Sequence, residues 1–526
     1  MASHCDDTPH ALVVPHAAHG HAVACVLLSE SLAALGFKVS LVYFSTFYAR
    51  MTETNRVVMP IQTPDDRGNA SIFKRITSSD GIVGDKRATY IPLNWGIGAT
   101  HYQVHNRSPC SSNGFEGEGG RGQICVYVVD DGLVPGQFLR YFSVAPAVKE
   151  NLFKLILDLR EQGSPPTCLI SDSFIPWTLQ VAQHARIPRI EFWTCNAMAH
   201  LLFFNLDSLY SDGIFPIKGS PNQWKSETPI MLSHIPGLPP FPAELIPEDL
   251  RFVDSSNYFA QFFHQVNSCL KFGERILVHS MLELEPDAFK AFELQGLHAY
   301  AVGPLYRHRS RHDTKHTECM SWLSMQADRS VIYASFGTAD RVSIQDLREL
   351  AMGLEASGQP FLWVLREDPR RMEGLPQLLP DGFLERNRGK GLIVSWAPQV
   401  EVLAHRAIGG FLSHCGWNSI LESFWEGVPM LCCACHAEQR LNSHYVCNVW
   451  GTGLEIERTD TGGIKRSFVE LSVKALLWSE EGSKVRSRVE EIVHLVKRTC
   501  QPGGESFSNL QIFYDDMRAL CTKPLP

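Results

Sequence analysis

The residues with the most chemical content lie between Trp396 and Gln439. The apolar run Leu392-Ile393-Val394-Ser395 reads as a strand, so Trp396 sits at a strand's carboxyl end, where open α/β sheets bind their ligands. A second apolar run, Ile408 to Leu412, leads through His414-Cys415-Gly416-Trp417-Asn418-Ser419 into the helical run Ile420 to Trp425. A strand that passes through a glycine turn into a helix leaves free backbone N–H groups at the helix tip. Together with the helix dipole, these bind an anion. Glu422 lies one turn up the same helix from Ser419, placed to accept both hydroxyls of a ribose while phosphates occupy the tip. Taken singly, Trp396 reads as core and Glu422 as a solvated helix face. Their joint spacing describes a nucleotide site.

The elements that must position these groups alternate along the chain. Ala11 to Val14 is a short buried strand ended by Pro15, Val23 to Leu35 has helical spacing and is stopped by Gly36, and Val39 to Phe44 is apolar again. The pattern returns at Cys168 to Ile170, the helix Pro176 to Ala185 and the strand Arg189 to Trp193. In the second half it returns at Val331 to Ser335, the helix Ser343 to Ser357 and Phe361 to Leu365. Strand–helix–strand units of this length imply parallel pairs with right-handed crossovers, hence an α/β chain with two parallel sheets. The polar stretch from Tyr306 to Asp313 reads as a linker. The expected division is 1–305, a linker at 306–316, 317–505, and a carboxy-terminal helix in 506–526 that packs back on the first domain. Segment 50–125 reads as a loop-rich insertion, and its glycine-rich stretch Asn106 to Gly122 as a flexible loop rather than part of a core.

Composition narrows the function classes. At roughly 100–200 residues per domain, a chain of 526 residues has at least two. Hydrophobic residues at 44% and charged residues at 20% exclude wholesale disorder and fibrous repeats. A net charge of -8 without a basic block excludes a nucleic-acid partner. Fifteen cysteines, an odd count scattered through apolar segments, fit the reduced thiols of a cytoplasmic protein. Met1 to His10 carries no secretory pattern, and no window of about 18 apolar residues spans a membrane. Asn69-Ala70-Ser71 therefore matches a glycosylation site in spelling only. Cys432-Cys433-Ala434-Cys435-His436 spells a haem-attachment motif but continues the apolar run from Val428, so it reads as buried strand thiols. A dinucleotide oxidoreductase would need G-x-G-x-x-G after the first strand, and Pro15 to His21 offers only Gly20.

Trp396-Ala397-Pro398-Gln399, His405, His414-Cys415-Gly416-Trp417-Asn418-Ser419 with Glu422, Gly427-Val428-Pro429 and Glu438-Gln439 resemble the signature box of the plant family-1 UDP-glycosyltransferases. Ser335-Phe336-Gly337-Thr338, Cys319 to Trp322, Ser173-Phe174-Ile175-Pro176-Trp177 and the Gly20-His21 turn also have family counterparts, so the resemblance covers nearly all the chain outside 50–125. It implies a GT-B fold, two Rossmann-like domains with parallel sheets facing across a cleft. It also implies Trp396 stacked on uracil, with the Ala397 backbone and Gln399 at base and ribose, and Glu422 on the ribose diol. His414, Asn418, Ser419 and Thr338 would hold the diphosphate, and Trp417, Glu438, Gln439 and Thr194 would contact the sugar. A final Gln in the box goes with glucose donors, so Gln439 implies UDP-glucose. His405 reads as a structural hydrogen bond closing its helix. Ala434 stands where the family usually has proline, and Glu438 replaces the commoner Asp.

The same resemblance assigns the chemistry to His21, as general base, and Asp172, as the acid that orients it, with His19 and His16 as neighbouring rivals for the base. An acceptor hydroxyl is a poor nucleophile, and imidazole can take its proton near neutral pH. A carboxylate on the other ring nitrogen fixes the tautomer and stabilises imidazolium. Asp172 alone would read as a helix cap ahead of Pro176. The implied activity is inverting transfer of glucose to a hydroxyl of a small lipophilic acceptor (flavonoid, other phenolic, terpenoid or hormone) in plant secondary metabolism. No metal or other cofactor is implied, and the chain is expected to act as a monomer. The alternative is a nucleotide-sugar-binding pseudo-enzyme or sensor, which would be expected to lack one of His21 and Asp172.

Overall fold

Strands buried on both faces are continuous apolar runs, and those here follow that rule: His10–Val14, Cys168–Asp172, Val331–Ser335 and Ile408–Ser413 are buried along their whole length. The structure, a computed structural model, describes residues 8–48, 73–77, 81–84, 123–129, 131, 146–215, 231–247, 250, 258–273, 275–306, 318–337, 342–365 and 375–521. In chain order the strands are β1 His10–Val14, β2 Lys38–Phe44, β3 Phe73–Thr77, β4 Gly81–Gly84, β5 Gln123–Val129, β6 Cys168–Asp172, β7 Arg189–Trp193, β8 Met231–Leu232, β9 Phe241–Pro242, β10 Ile276–Val278 and β11 Ala299–Ala301. They continue with β12 Val331–Ser335, β13 Phe361–Val364, β14 Gly391–Val394, β15 Ile408–Ser413, β16 Met430–Cys432 and β17 Gly453–Glu455.

They form a nine-stranded sheet, β11-β10-β7-β6-β1-β2-β5-β3-β4, and a six-stranded sheet, β14-β13-β12-β15-β16-β17, with β8 and β9 as a separate pair. Every pair in the six-stranded sheet is parallel. Counted from its own first strand, that sheet has the doubly wound order in which ligands bind where the order reverses, here between β12 and β15. The larger sheet reverses between β1 and β6. The two reversal points therefore carry the loops that end in His21, Asp172 and the 414–419 turn.

Two expectations need correction. The first helix runs His19–Ala34, not from Val23, so His21 lies in its first turn rather than in a turn before it. Gly20 is tolerated there because the first N–H groups of a helix have no intrahelical partner. The helix after β6 begins at Thr178, two residues past Pro176. Within the 50–125 insertion, β3 pairs parallel with β5, and β4 adds an antiparallel edge to an otherwise parallel sheet. Asn69-Ala70-Ser71, Asn106 to Gly122 and nearly all of the 306–316 linker lie outside the described residues.

Apolar packing joins the halves. Met281 and Leu284, from the loop after β10, sit in a cluster otherwise built from β12, β15 and their helices, and Leu441 from the second half enters a cluster of the first. The last helix, Glu505–Cys521, packs on the first sheet. Phe513 and Met517 are fully buried there, with Phe513 stacked on Phe37 at 5.9 Å. Asp516 accepts hydrogen bonds from Arg275 at 3.1 Å and Tyr300 at 3.0 Å. Phe513→Ala is expected to cost about 3–5 kcal/mol in chemical denaturation, the range for emptying a buried aromatic site. Ile512→Ala, on the exposed face of the same helix, should change stability by no more than about 0.5 kcal/mol.

Candidate active site

Residues after β1, β6 and β7 converge on His21. Its Nδ1–H donates to Asp172 Oδ2 at 2.7 Å, and Thr194 Oγ1 lies 2.9 Å from the same nitrogen. Asp172 is buried, and its other oxygen accepts the Phe174 N–H at 2.9 Å. One carboxylate thus closes the turn after β6 and orients the imidazole, but it caps no helix, because the next one starts at Thr178 with Trp177 before it. Burial alone would raise the Asp172 pKa, but the charge and hydrogen bond of His21, then His16 and the Phe174 N–H, hold it below its usual value. Burial would likewise depress His21. The charge and hydrogen bond of Asp172, with Glu438 from the other half, outweigh it and hold His21 above its ordinary value.

His16 is no base. Its ring centroid is 5.0 Å from that of His21, and burial, reinforced by the charge of His21, pushes its pKa down to about 3. Phe174 meets the His21 ring edge-on at 5.3 Å, and the Phe174 ring in turn contacts Trp193, Phe203 and Phe262. With Nδ1 engaged and two rings packed against it, His21 keeps Nε2 for the cleft, and its side chain remains 23% exposed. His19 is half-buried beside it on the same turn.

In the second half, Gln399 gathers the ribose-side residues. Its amide donates to Ser419 Oγ at 3.0 Å and Glu422 Oε2 at 2.7 Å, and its carbonyl accepts from Tyr333 at 3.2 Å. Burial pushes Glu422 up to about 7; the Gln399 hydrogen bond opposes the shift, and Glu401 and Glu426 add to it. Trp396 is half-buried at the end of β14, and Ala397 is buried behind it. His405 closes the turn after the helix Gln399–Leu403 by accepting the Ala407 N–H at 3.2 Å. His414 lies between two glycines. A Cβ would stand 2.9 Å from its Nε2 at Gly337 and 2.5 Å at Gly416, so both positions must lack one. Burial, with His436 next in effect, lowers His414 to about 4, which leaves a neutral ring.

The helix Trp417–Glu426 starts at Gly416 with no side-chain cap, and the first helix starts at Ala18 in the same way. The two uncapped tips meet: Asn418 Nδ2 donates to the Gly20 carbonyl at 2.8 Å. Free N–H groups and two positive dipole ends therefore face one cleft.

The structure places the remaining residues as follows. The Trp417 indole is buried in the core and donates to the His279 carbonyl at 2.6 Å, so its backbone N–H is the part left to face a ligand. Thr194 lies beside His21, at the base. Asn418 bonds Gly20, because the helix tip reaches the opposite half. Gln439 spends its carbonyl on the Cys435 and His436 N–H groups at 3.0 and 3.1 Å, while Glu438 faces His21 electrostatically. Cys432 and Cys433 are buried thiols continuing β16. Thr338 lies outside the described residues. Two residues escaped the sequence reading, Asn196 and Asn442, which bond each other across the halves. The only available signal was an asparagine at a helix start.

Two doubly wound sheets with an anion tip and a buried histidine–carboxylate pair at their facing reversal points define a nucleotide-sugar transferase of the GT-B class. The comparisons agree. A family profile for UDP-glucoronosyl and UDP-glucosyl transferase matches residues 307–467. The chain is 33% identical over 363 residues to 7-deoxyloganetin glucosyltransferase of Gardenia jasminoides, covering 66% of this chain and 74% of that one. It is 28% identical over 522 residues to UDP-glycosyltransferase 86A1 of Arabidopsis thaliana, covering 97% and 94%. A UDP-glucose:anthocyanidin 3-O-glucosyltransferase crystallised with UDP aligns with a TM-score of 0.71 at 25% identity, over 97% of this chain and 99% of that one. The chain belongs to the plant family-1 UDP-glycosyltransferases and is a hexosyltransferase by class. Among the described residues, no helix is long and apolar enough to cross a membrane.

Ribose hydroxyls bind best to an ionised carboxylate. Because Glu422 is held up to about 7, binding of uridine, which carries no phosphate to titrate, should tighten as the pH rises through about 7. Titration calorimetry checks this, and Glu422→Gln should weaken binding and flatten the dependence.

Proposed function

We propose that this chain transfers glucose from UDP-glucose to a hydroxyl of a small lipophilic acceptor, with inversion at the anomeric carbon. The observation that carries the reading is the 2.7 Å His21–Asp172 pair, set one residue from the Gly20 carbonyl to which the donor helix tip is bonded. His21 Nε2 takes the acceptor proton as the acceptor oxygen attacks C1. The C1–O bond to UDP breaks, and UDP leaves against the helix tips. Attack opposite the leaving group converts an α-linked donor into a β-glucoside. Asp172 holds the ring tautomer and stabilises the imidazolium. Trp396, Ala397, Gln399 and Glu422 take uridine. His414, Asn418, Ser419 and Thr338 take the diphosphate, and the Trp417 N–H, Glu438, Gln439 and Thr194 take the sugar. The helix tips supply the charge stabilisation that a metal supplies elsewhere.

The aromatic wall beside the base is Phe174, half-buried and edge-on to His21 and backed by the buried rings of Trp193, Phe203 and Phe262, and it supports a lipophilic acceptor. So do the printed specificities of relatives, 7-deoxyloganetin and (R)-mandelonitrile among them. Flavonoids, other phenolics, terpenoids and hormones all fit, and the reduced thiols suit a cytoplasmic monomer.

The test is an assay with UDP-glucose, UDP-galactose and UDP-glucuronate against a mixed phenolic panel, read by product mass. Glucose transfer that survives a chelator is expected; tight UDP binding without transfer from any donor would establish the pseudo-enzyme reading instead. His21→Ala should lower kcat by about 10²–10⁴-fold with UDP affinity nearly intact. Because Asp172 raises His21, the acid limb of kcat/KM should lie above the ordinary histidine value, and Asp172→Asn should move it down. An unmoved limb would remove Asp172 from the mechanism.

A further inference from the structure

The two halves must hold one register for a base on the first to meet a sugar held by the second, and one side chain touches every part of that arrangement. Asn442 lies beyond the signature box, in the helix Gln439–His444, and is 1% exposed. Its Nδ2 donates to the Cys415 carbonyl at 2.9 Å and to Glu438 Oε1 at 3.4 Å. Its Oδ1 accepts from Asn196 Nδ2 in the opposite half.

Each contact has a consequence. Cys415 has a φ of 66°, a left-handed backbone that a non-glycine residue adopts only under constraint. Its carbonyl is held by Asn442, and its N–H by Ser413 Oγ at 3.2 Å. That strained residue sits between His414 and the helix tip, so its conformation decides where the anion site points. Glu438 is the carboxylate of this half whose charge helps to hold His21 above its ordinary value. Asn196 follows Thr194, the residue in contact with His21, by two positions. It is itself fixed, since its Oδ1 accepts the Ala199 N–H at 2.7 Å and its carbonyl accepts Trp193 Nε1 at 2.7 Å. Glu285 anchors the same helix start through the Ala197 and Met198 N–H groups at 2.8 and 3.0 Å.

The polarity of this relay has a single sense. The Ala199 N–H needs the oxygen of Asn196, which turns the Asn196 NH2 towards Asn442. Asn442 must answer with oxygen and turn its own NH2 towards Cys415. Both amides are buried, so reversing either one places two acceptors face to face without water. We propose that Asn442, working through Asn196, is a positioning residue for sugar transfer: it pins the strained anion turn and the sugar carboxylate to the half that carries the base.

The inference rests on the donor and base assignments proposed above. Asn442→Ala, Asn442→Asp, Asn196→Asp and the double variant Asn196→Ala/Asn442→Ala are compared in the full-length protein. UDP-glucose and whichever panel acceptor the unaltered enzyme uses serve as substrates, and His21→Ala is run beside them. A displacement of about 1 Å can cost about 10²-fold, so Asn442→Ala should lose about 10–100-fold in kcat. UDP affinity and donor KM should stay within about threefold. Asn442→Asp should lose at least as much. The double variant should be no worse than Asn442→Ala with Asn196→Ala contributing nothing further, the non-additivity of one unit. Should Asn442→Ala not fold, Asn196→Asp carries the test, because it keeps the acceptor for Ala199 and presents oxygen to Asn442. A folded variant with unaltered kcat, or one that loses kcat only in step with UDP affinity, would overturn the inference. Full transfer by His21→Ala would instead overturn the base assignment beneath it.

Discussion

A buried carboxylate is tolerable only when its charge is answered, and in the first half of this enzyme that constraint falls on Asp172. An isolated ionised group in an apolar interior would neutralise rather than stay charged. Here one oxygen is answered by a backbone N–H and the other by an imidazole. Those partners fix the turn after β6, the ring of His21 and, through Phe174, the start of the aromatic wall. The charge that the chemistry needs is thus also what orders the chain around it. Removing Asp172 would release a turn as well as a proton partner, which is why the isosteric amide is the informative replacement.

The second half faces the opposite requirement, since it must hold a nucleotide diphosphate that brings its own negative charge. A chain with a net charge of -8 repels such a ligand at long range. The attraction has to be local, and the two helix starts that meet at Gly20 and Asn418, neither with a side-chain cap, offer free N–H groups for it. The neutral His414 adds a donor without adding a charge that would have to be compensated when the site is empty. Opposed helix tips also make the cleft depend on the register of the halves, because each tip is useful only beside the other.

Much of this was legible in the sequence, for physical reasons. Buried parallel strands announce themselves as apolar runs, so β1, β6, β12 and β15 were readable to within a residue or two. The nucleotide box was readable because strand end, glycine turn and helical carboxylate recur at fixed spacing. What spacing does not carry is the direction of a side chain. Trp417, Ile420, Leu421 and Phe424 form one apolar helical face and all four are buried, so the periodicity, not the motif, tells that the indole points inward. His21 was placed before the helix because the apolar helical spacing starts only at Val23. The partnership of Thr194 with His21, and of Asn196 with Asn442, joins positions 173 and 246 residues apart. No local pattern encodes such pairs.

Those distant pairs also explain why donor and acceptor properties separate in this architecture. Most of the donor contacts proposed above lie on one stretch after β14 and β15 and so leave a signature, whereas Thr338 and Thr194 lie outside it. The proposed base comes from the helix after β1, its carboxylate from the end of β6 and Phe174 from the turn that follows, so they lie on separate segments that can vary so long as each strand end stays in place. The sugar end is constrained from both sides, by Glu438 and Gln439 below and by the His21 turn above. A polar relay that locks the two halves would therefore preserve the geometry of transfer while the outer wall of the acceptor pocket changed, which is the physical basis on which one chemistry can serve many small hydroxyl compounds.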